Sequence, residues 1–148
     1  MKKTEKLKLL FFKIIEKLEL DQYDDETVDD LIYERDYTEF TPIWEELSED
    51  QPLLDGKESN IVNLFSNEVY DKIMELDVHH ELSETVRSDF ELILTYLIKG
   101  ENNPYLSNLL RHYCTSGIPS YSLGKEQKTV EELLLEYENW NGYKHIEF

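Results

Sequence analysis

A chain of 148 residues, 40% apolar and 12% aromatic, is long enough to bury one sizeable core and short for two. Its 33 acids against 15 bases leave a formal charge of −18, which repels phosphates and argues against direct binding to nucleic acid or to an anionic membrane. The one cysteine, Cys114, excludes an internal disulfide framework and fits a reducing compartment.

Residues 4–19 place Leu7, Leu10, Phe11, Ile14, Ile15 and Leu18 at the spacing of a helical stripe, with Leu9 and Phe12 as a second apolar edge. Lys2, Lys6, Lys13 and Lys17 fall largely off that stripe. A basic amphipathic helix can lie on a membrane; here the sequence favours a core helix whose lysines offset the acids that follow. Lys8 and Lys13 interrupt the run Leu9-Leu10-Phe11-Phe12, and no small-residue cleavage site follows, so we expect no signal peptide and a cytoplasmic protein. No run approaches the ~20 apolar residues of a membrane span.

Residues 19–50 concentrate the charge. They hold fourteen acids against one base, Arg35, a net −13, whereas residues 1–18 sum to +4. Tyr23, Tyr33, Tyr37, Phe40 and Trp44 are woven through the acids, and disordered acidic tails have few aromatics. Residues 24–35 read as a helix capped by Asp24 or Asp25, with Val28, Leu31 and Ile32 facing inward. Three like-charge pairs, Asp25–Asp29, Glu26–Asp30 and Asp30–Glu34, stand at i, i+4 and each costs roughly 0.2–0.5 kcal/mol. Residues 36–41 read as irregular or briefly extended. Thr41-Pro42 reads as an N-cap and first helical residue of a short helix, Pro42 to Leu47, carrying Trp44, Glu45 and Glu46. Residues 48–57, with Pro52 and Gly56, are expected to be a loop.

Residues 59–76 repeat Ile61, Phe65, Val69, Ile73 and Leu76 at helical spacing, widened by Leu64. Ser83 is expected to cap residues 84–99, which turn Val86, Phe90, Ile93, Leu94 and Leu97 inward. Leu92, Tyr96 and Ile98 make that helix apolar nearly all round, the mark of a central element, and Gly100 closes it. Asn103-Pro104 opens the next helix, with Leu106, Leu109, Leu110 and Tyr113 inward and Gly117 at its end. Residues 118–128 form a loop. Thr129 and Glu132 spell a capping box ahead of Val130, Leu133, Leu134 and Tyr137. Residues 143–148 are expected to be a short strand or a docked tail, and a small sheet from 36–40, 118–123 and 143–148 is an open alternative.

The expected architecture is an all-α bundle of six to seven helices with, at most, a minor short-strand element near the C-terminus. The expected organisation is one domain over 1–148, its acidic portion 19–50 packed on a helical core at 59–139. The chain contains no Gly-rich phosphate loop, nucleophile elbow or zinc spacing, so we expect no enzyme and no cofactor. Asp77, His79, His80, Glu81 and Glu84 are the densest candidate metal ligands, but no Glu-x-x-His pair accompanies them, and an exposed polar helix junction is the simpler reading. Residues 21–30 lack the ligand spacing of a calcium loop. His112 and Cys114, two apart, sit on different sides of a helix, and the thiol reads as packed structure.

What remains is the acidic, ring-bearing stretch, whose plain reading is a solvated face. Its concentration points instead to a contact surface: carboxylates beside Tyr and Trp suit Lys and Arg through charge-assisted hydrogen bonds and cation–π contact. The expected contact residues are Asp24, Asp25, Asp29, Asp30, Tyr33, Asp36, Tyr37, Trp44 and Glu45. The expected partner is a basic protein, a toxin or nuclease domain. In composition, and through no motif, the chain resembles the small acidic immunity proteins that neutralise secreted bacterial nucleases. Two alternatives are a nucleic-acid mimic that blocks a phage-defence nuclease and a helical adaptor whose acidity is incidental.

Overall fold

The computed structural model describes residues 2–76 and 79–143. Among them it is all helical: α1 (Lys3–Lys17), a 3-10 turn (Leu20–Gln22), α2 (Asp25–Tyr37), α3 (Phe40–Glu49), α4 (Gly56–Met74), α5 (His80–Lys99), α6 (Pro104–Thr115) and α7 (Val130–Glu136). No strand occurs among the described residues. Residues 36–40 divide between the end of α2, a bend and the start of α3, and 118–123 are loop, so neither supplies the expected sheet. Of the expected C-terminal strand or tail, 144–148 lie outside the described residues. Trp140 and Tyr143 dock: the indole Nε1 donates to the Cys114 carbonyl at 2.8 Å and the Tyr143 hydroxyl to that of Tyr113 at 2.6 Å.

The bundle is organised around α5, which packs against α1, α4, α6 and α7. Its periodicity demands this: Leu82, Val86, Phe90, Leu92, Ile93, Leu94, Tyr96 and Leu97 are all buried, so apolar surface points to nearly every side. Phe90 lies flat on Phe11 of α1 at 3.7 Å between ring centroids and meets the edge of Tyr113 of α6 at 4.9 Å, which ties three helices at the centre. All six residues of the expected α1 stripe are buried. On α4 the buried face is shifted. Val62, Phe65, Ser66, Val69 and Ile73 turn inward, while Ile61 and Leu64 are exposed. A one-residue error in reading a stripe rotates it by about 100°, enough to exchange a flank for the face.

Helix starts follow side-chain chemistry. The Asp24 carboxylate accepts from Thr27 N at 2.8 Å and caps α2; that bond, then the one from the Thr27 hydroxyl, holds its pKa below the usual value. Asp55 and Glu58 form a capping box that starts α4 earlier than the expected residue 59. Asn103 caps α6 ahead of Pro104. His79, not Ser83, caps α5, its Nδ1 accepting from Glu81 N at 3.2 Å; Ser83 is buried inside the helix and bonds back to the His79 carbonyl. Likewise α3 starts at Phe40 without a side-chain cap, so Pro42 falls within the first turn, where its missing N–H leaves no partner unsatisfied. Thr129 and Glu132 cap each other's backbone at α7, a helix of only 7 residues. Thr129→Ala is expected to lower stability by about 1 kcal/mol and to speed amide exchange in α7 first. Urea titration and hydrogen exchange would check both; uniform exchange across the bundle would contradict the local effect.

A surface network secures α7 and the loop before it. Arg111 of α6 donates from Nε to Glu126 and from a terminal nitrogen to Glu136 and to the Tyr137 hydroxyl, both at 2.8 Å, while Lys128 also reaches Glu136. The hydrogen bonds from Arg111, then Lys128, hold Glu136 down at about 2, and Glu126 is lowered by the same guanidinium. A carboxyl held below its unfolded value of about 4.3 adds stability that is present above that pH and lost as pH falls toward 2. Comparing urea midpoints from pH 5.5 to 2.5, Arg111→Gln should narrow its deficit against wild type as the pH drops. A deficit independent of pH would show that Arg111 acts by packing alone.

Candidate functional site

On α2, Val28, Leu31 and Arg35 are buried. At about 100° per residue, Tyr33 stands opposite that face. Asp29 and Asp30 lie one turn before Tyr33 on the same exposed side, and Asp36 and Tyr37 one turn after it. Tyr33 is 60% exposed and Tyr37 78%, and their rings stack on each other at 4.9 Å in the open.

Arg35, the single base of the acidic stretch, is turned into the protein rather than among the acids, where Ile32 had been expected to complete the inward stripe; Ile32 is only half buried. The guanidinium donates from Nε to the Pro119 carbonyl at 2.8 Å and forks onto Asp89 of α5 at 3.3 and 2.8 Å. It also lies over the Phe40 ring, 4.1 Å from its centroid. Asp89, 1% exposed, accepts two further bonds, from Trp44 Nε1 at 3.0 Å and from the Tyr113 hydroxyl at 2.5 Å. Burial works against the Arg35 charge, but Asp89 and Tyr113 oppose it and leave the guanidinium pKa raised. Burial, and then the Asp89 charge, push the Tyr113 hydroxyl well above its ordinary value, which keeps it a donor. This network joins α2, α3, α5, α6 and the 118–123 loop and sets the angle at which α2 presents its outer face.

The consequence is electrostatic. Among the described residues, the fourteen carboxylates of 19–50 make no ion pair with a Lys or Arg, and their one contact with a histidine runs from Asp25 to His79 Nε2 at 3.1 Å. No lysine of α1 makes an ion pair with them among the described residues: Lys3 pairs with Glu131 of α7 and Lys8 with Glu68 of α4. With Arg35 inside, the outer face of α2 carries no cation.

The expected contact residues fall into three groups. Asp24 and Asp25 are exposed but already engaged, one in the cap and one with His79. Asp29, Asp30, Tyr33 and Tyr37 share the open face. Asp36, Trp44 and Glu45 line a cleft of about 380 Å³ between α2, α3 and α5, together with Ile32, Arg35, Phe40, Thr41, Glu81, Glu84, Thr85, Ser88 and Asp89. Trp44 is therefore half buried, a wall of this cleft fixed by Asp89, rather than a free surface anchor. Asp36 holds the junction of the two helices by accepting from the Thr41 hydroxyl at 2.8 Å, the role that replaces the expected Thr41 cap. Glu81 and Glu84 had been considered only as metal ligands; nothing in their local spacing indicates that α5 faces α2. Among the described residues no three His, Cys, Asp or Glu side chains are grouped to hold a metal ion. Cys114 is buried and its thiol pushed up to about 12, chiefly by that burial, which makes it an unreactive packing group. Among the described residues no helix is long and apolar enough to cross a membrane.

Neither the curated proteins nor the solved structures contain a match to the chain. A family model described as Immunity protein PIM1 matches residues 9–120. That span takes in all of α2 to α6, and with them the acidic face, the cleft and the buried Arg35–Asp89 pair. Immunity proteins act by binding a toxin, as inhibitors rather than as enzymes, and this chain belongs to the Immunity protein PIM1 family.

Proposed function

We propose that this immunity protein neutralises a basic toxin domain, a nuclease, by laying the outer face of α2 and the rim of the adjoining cleft across the groove that binds the toxin's nucleic-acid substrate. The observation that carries this reading is the near absence of internal cation partners for the carboxylates of 19–50 among the described residues, together with two exposed, stacked tyrosines beside Asp29 and Asp30 on the outer face of α2. A nuclease groove is lined with Lys and Arg to hold phosphates. Carboxylates displayed at helical spacing compete for the same cations, and the Tyr33–Tyr37 pair supplies rigid apolar area at the centre, where water is expelled. Asp29, Asp30, Asp36 and Glu45 are the acids placed to meet the cations, with Tyr33, Tyr37 and Trp44 between them; Asp24 and Asp25 steer from the edge. The protein works in the cytoplasm, where such a toxin would reach its substrate.

The test uses the purified chain and the product of the gene directly beside its own, the position expected of an immunity protein's toxin. Stoichiometric addition should stop that product degrading DNA or RNA. Association should slow by roughly tenfold or more between low and high salt, as steered encounters do. Inhibition with a rate indifferent to salt would point to an apolar contact and remove the electrostatic reading.

A further inference from the structure

We propose that the cleft between α2, α3 and α5 receives one arginine side chain of the toxin, so that the recognition surface extends beyond the acidic stretch to Glu81 and Glu84 on α5. This rests on the toxin-binding reading above and deepens it by assigning the chemistry of one partner residue and the wall it meets.

What carries the inference is a formed recess, not the count of acids around it. At about 380 Å³ the cleft is at the small end of ligand sites, which run roughly 300–1,000 Å³, and it is ample for one long side chain. Its base is already set in the unbound protein. Phe40 is held beneath the Arg35 guanidinium, Trp44 is fixed by its bond to Asp89, and Asp89 is fully engaged by Arg35, Trp44 and Tyr113. The charged floor is therefore internally paired, and it leaves the half-buried Ile32 and Trp44 as apolar walls. Asp36 and Glu45 stand on one side of the opening and Glu81 and Glu84 on the other. Glu84 shares its charge with Arg87, whereas Glu45 and Glu81 have no side-chain partner among the described residues.

Arginine suits this shape better than lysine. Its guanidinium is planar, stacks on aromatic faces, is weakly hydrated and forks onto carboxylates, so it can enter between Trp44 and the paired acids with modest loss of hydration. A lysine ammonium would be drawn to the rim but would gain little from the flat walls. The preformed floor also means that the protein orders little on binding.

The experiment compares two variants in dissociation-rate measurements against the product of the adjoining toxin gene. Thr85→Trp fills the cleft without altering charge, and Glu81→Gln with Glu84→Gln neutralises the far wall without filling it. Both should bind at least tenfold more weakly, mainly through faster dissociation, with melting temperatures close to wild type. Should Thr85→Trp not fold, the glutamine pair decides alone, since both side chains reach solvent. Folded variants that bind as tightly as wild type would overturn the cleft assignment and leave the toxin-binding reading standing. A wild-type chain that neither binds nor inhibits that product would instead overturn the reading itself, and this assignment with it. Loss of binding in Thr85→Trp beside an unaffected glutamine pair would overturn the choice of a cationic side chain.

Discussion

Asp89→Ala is expected to destabilise the fold by about 3–5 kcal/mol, the range found when one partner of a buried pair is removed. Three donors converge on this carboxylate: the Arg35 fork, the Trp44 indole and the Tyr113 hydroxyl. Alanine would leave the buried Arg35 charge with only the Pro119 carbonyl and the buried Tyr113 hydroxyl with no acceptor, each such group adding about 1–3 kcal/mol of unrecovered desolvation, while the half-buried Trp44 indole can turn to water. Domains of this size are stable by roughly 5–15 kcal/mol, so the variant should sit near the edge of folding. Urea unfolding would measure it. Arg35→Met should fall in the same range, because it leaves the Asp89 carboxylate buried without its counter-ion, although Trp44 and Tyr113 still donate to it. A double-mutant cycle on Arg35 and Asp89 should then show strong coupling, and additive losses would mean that the two residues act through packing with their separate neighbours. The network also sets the tilt of α2, so variants that survive should lose toxin affinity beyond what their stability explains.

On the binding side, Tyr33→Ala is expected to weaken the toxin complex by about 2 kcal/mol or more, roughly thirtyfold, as central aromatic anchors do. Asp29→Lys with Asp30→Lys is expected to act differently, cutting the association rate by ten- to a hundredfold and flattening its dependence on salt. Neither change should harm the fold. Tyr33 is exposed, and reversing Asp29 and Asp30 removes the like-charge contacts Asp25–Asp29, Glu26–Asp30 and Asp30–Glu34 from α2. Stopped-flow association and thermal melting, read together, separate these effects. Unchanged association in the lysine pair would move the contact surface away from α2.

The cleft and the open face were legible to different degrees. The face was partly legible because it lies on one helix: Asp29, Asp30 and Tyr33 follow from a spacing of 3.6 residues after a cap at Asp24 or Asp25, whereas Asp36 and Tyr37 join it only because α2 runs past the expected end at residue 35. The cleft was not, because its walls come from residues 32–45 and 81–89, and no local pattern states which helices face each other. Arg35 shows the same limit in a single residue. Its sequence neighbours are acids, yet its partner is 54 positions away. The starts that failed, at α3, α4 and α5, failed where capping was done by an unexpected residue or by none, and α2 runs two residues past its expected end.

Periodicity alone dictated a helical bundle built around residues 84–99, and composition alone dictated an acidic stretch rich in tyrosine. Both are local properties, written in spacing along the chain. The tertiary structure decided which of those charges stay unpaired, because pairing depends on what lies across the bundle: the α1 lysines reach α4 and α7, Arg35 reaches α5, and the acids of α2 are left facing water.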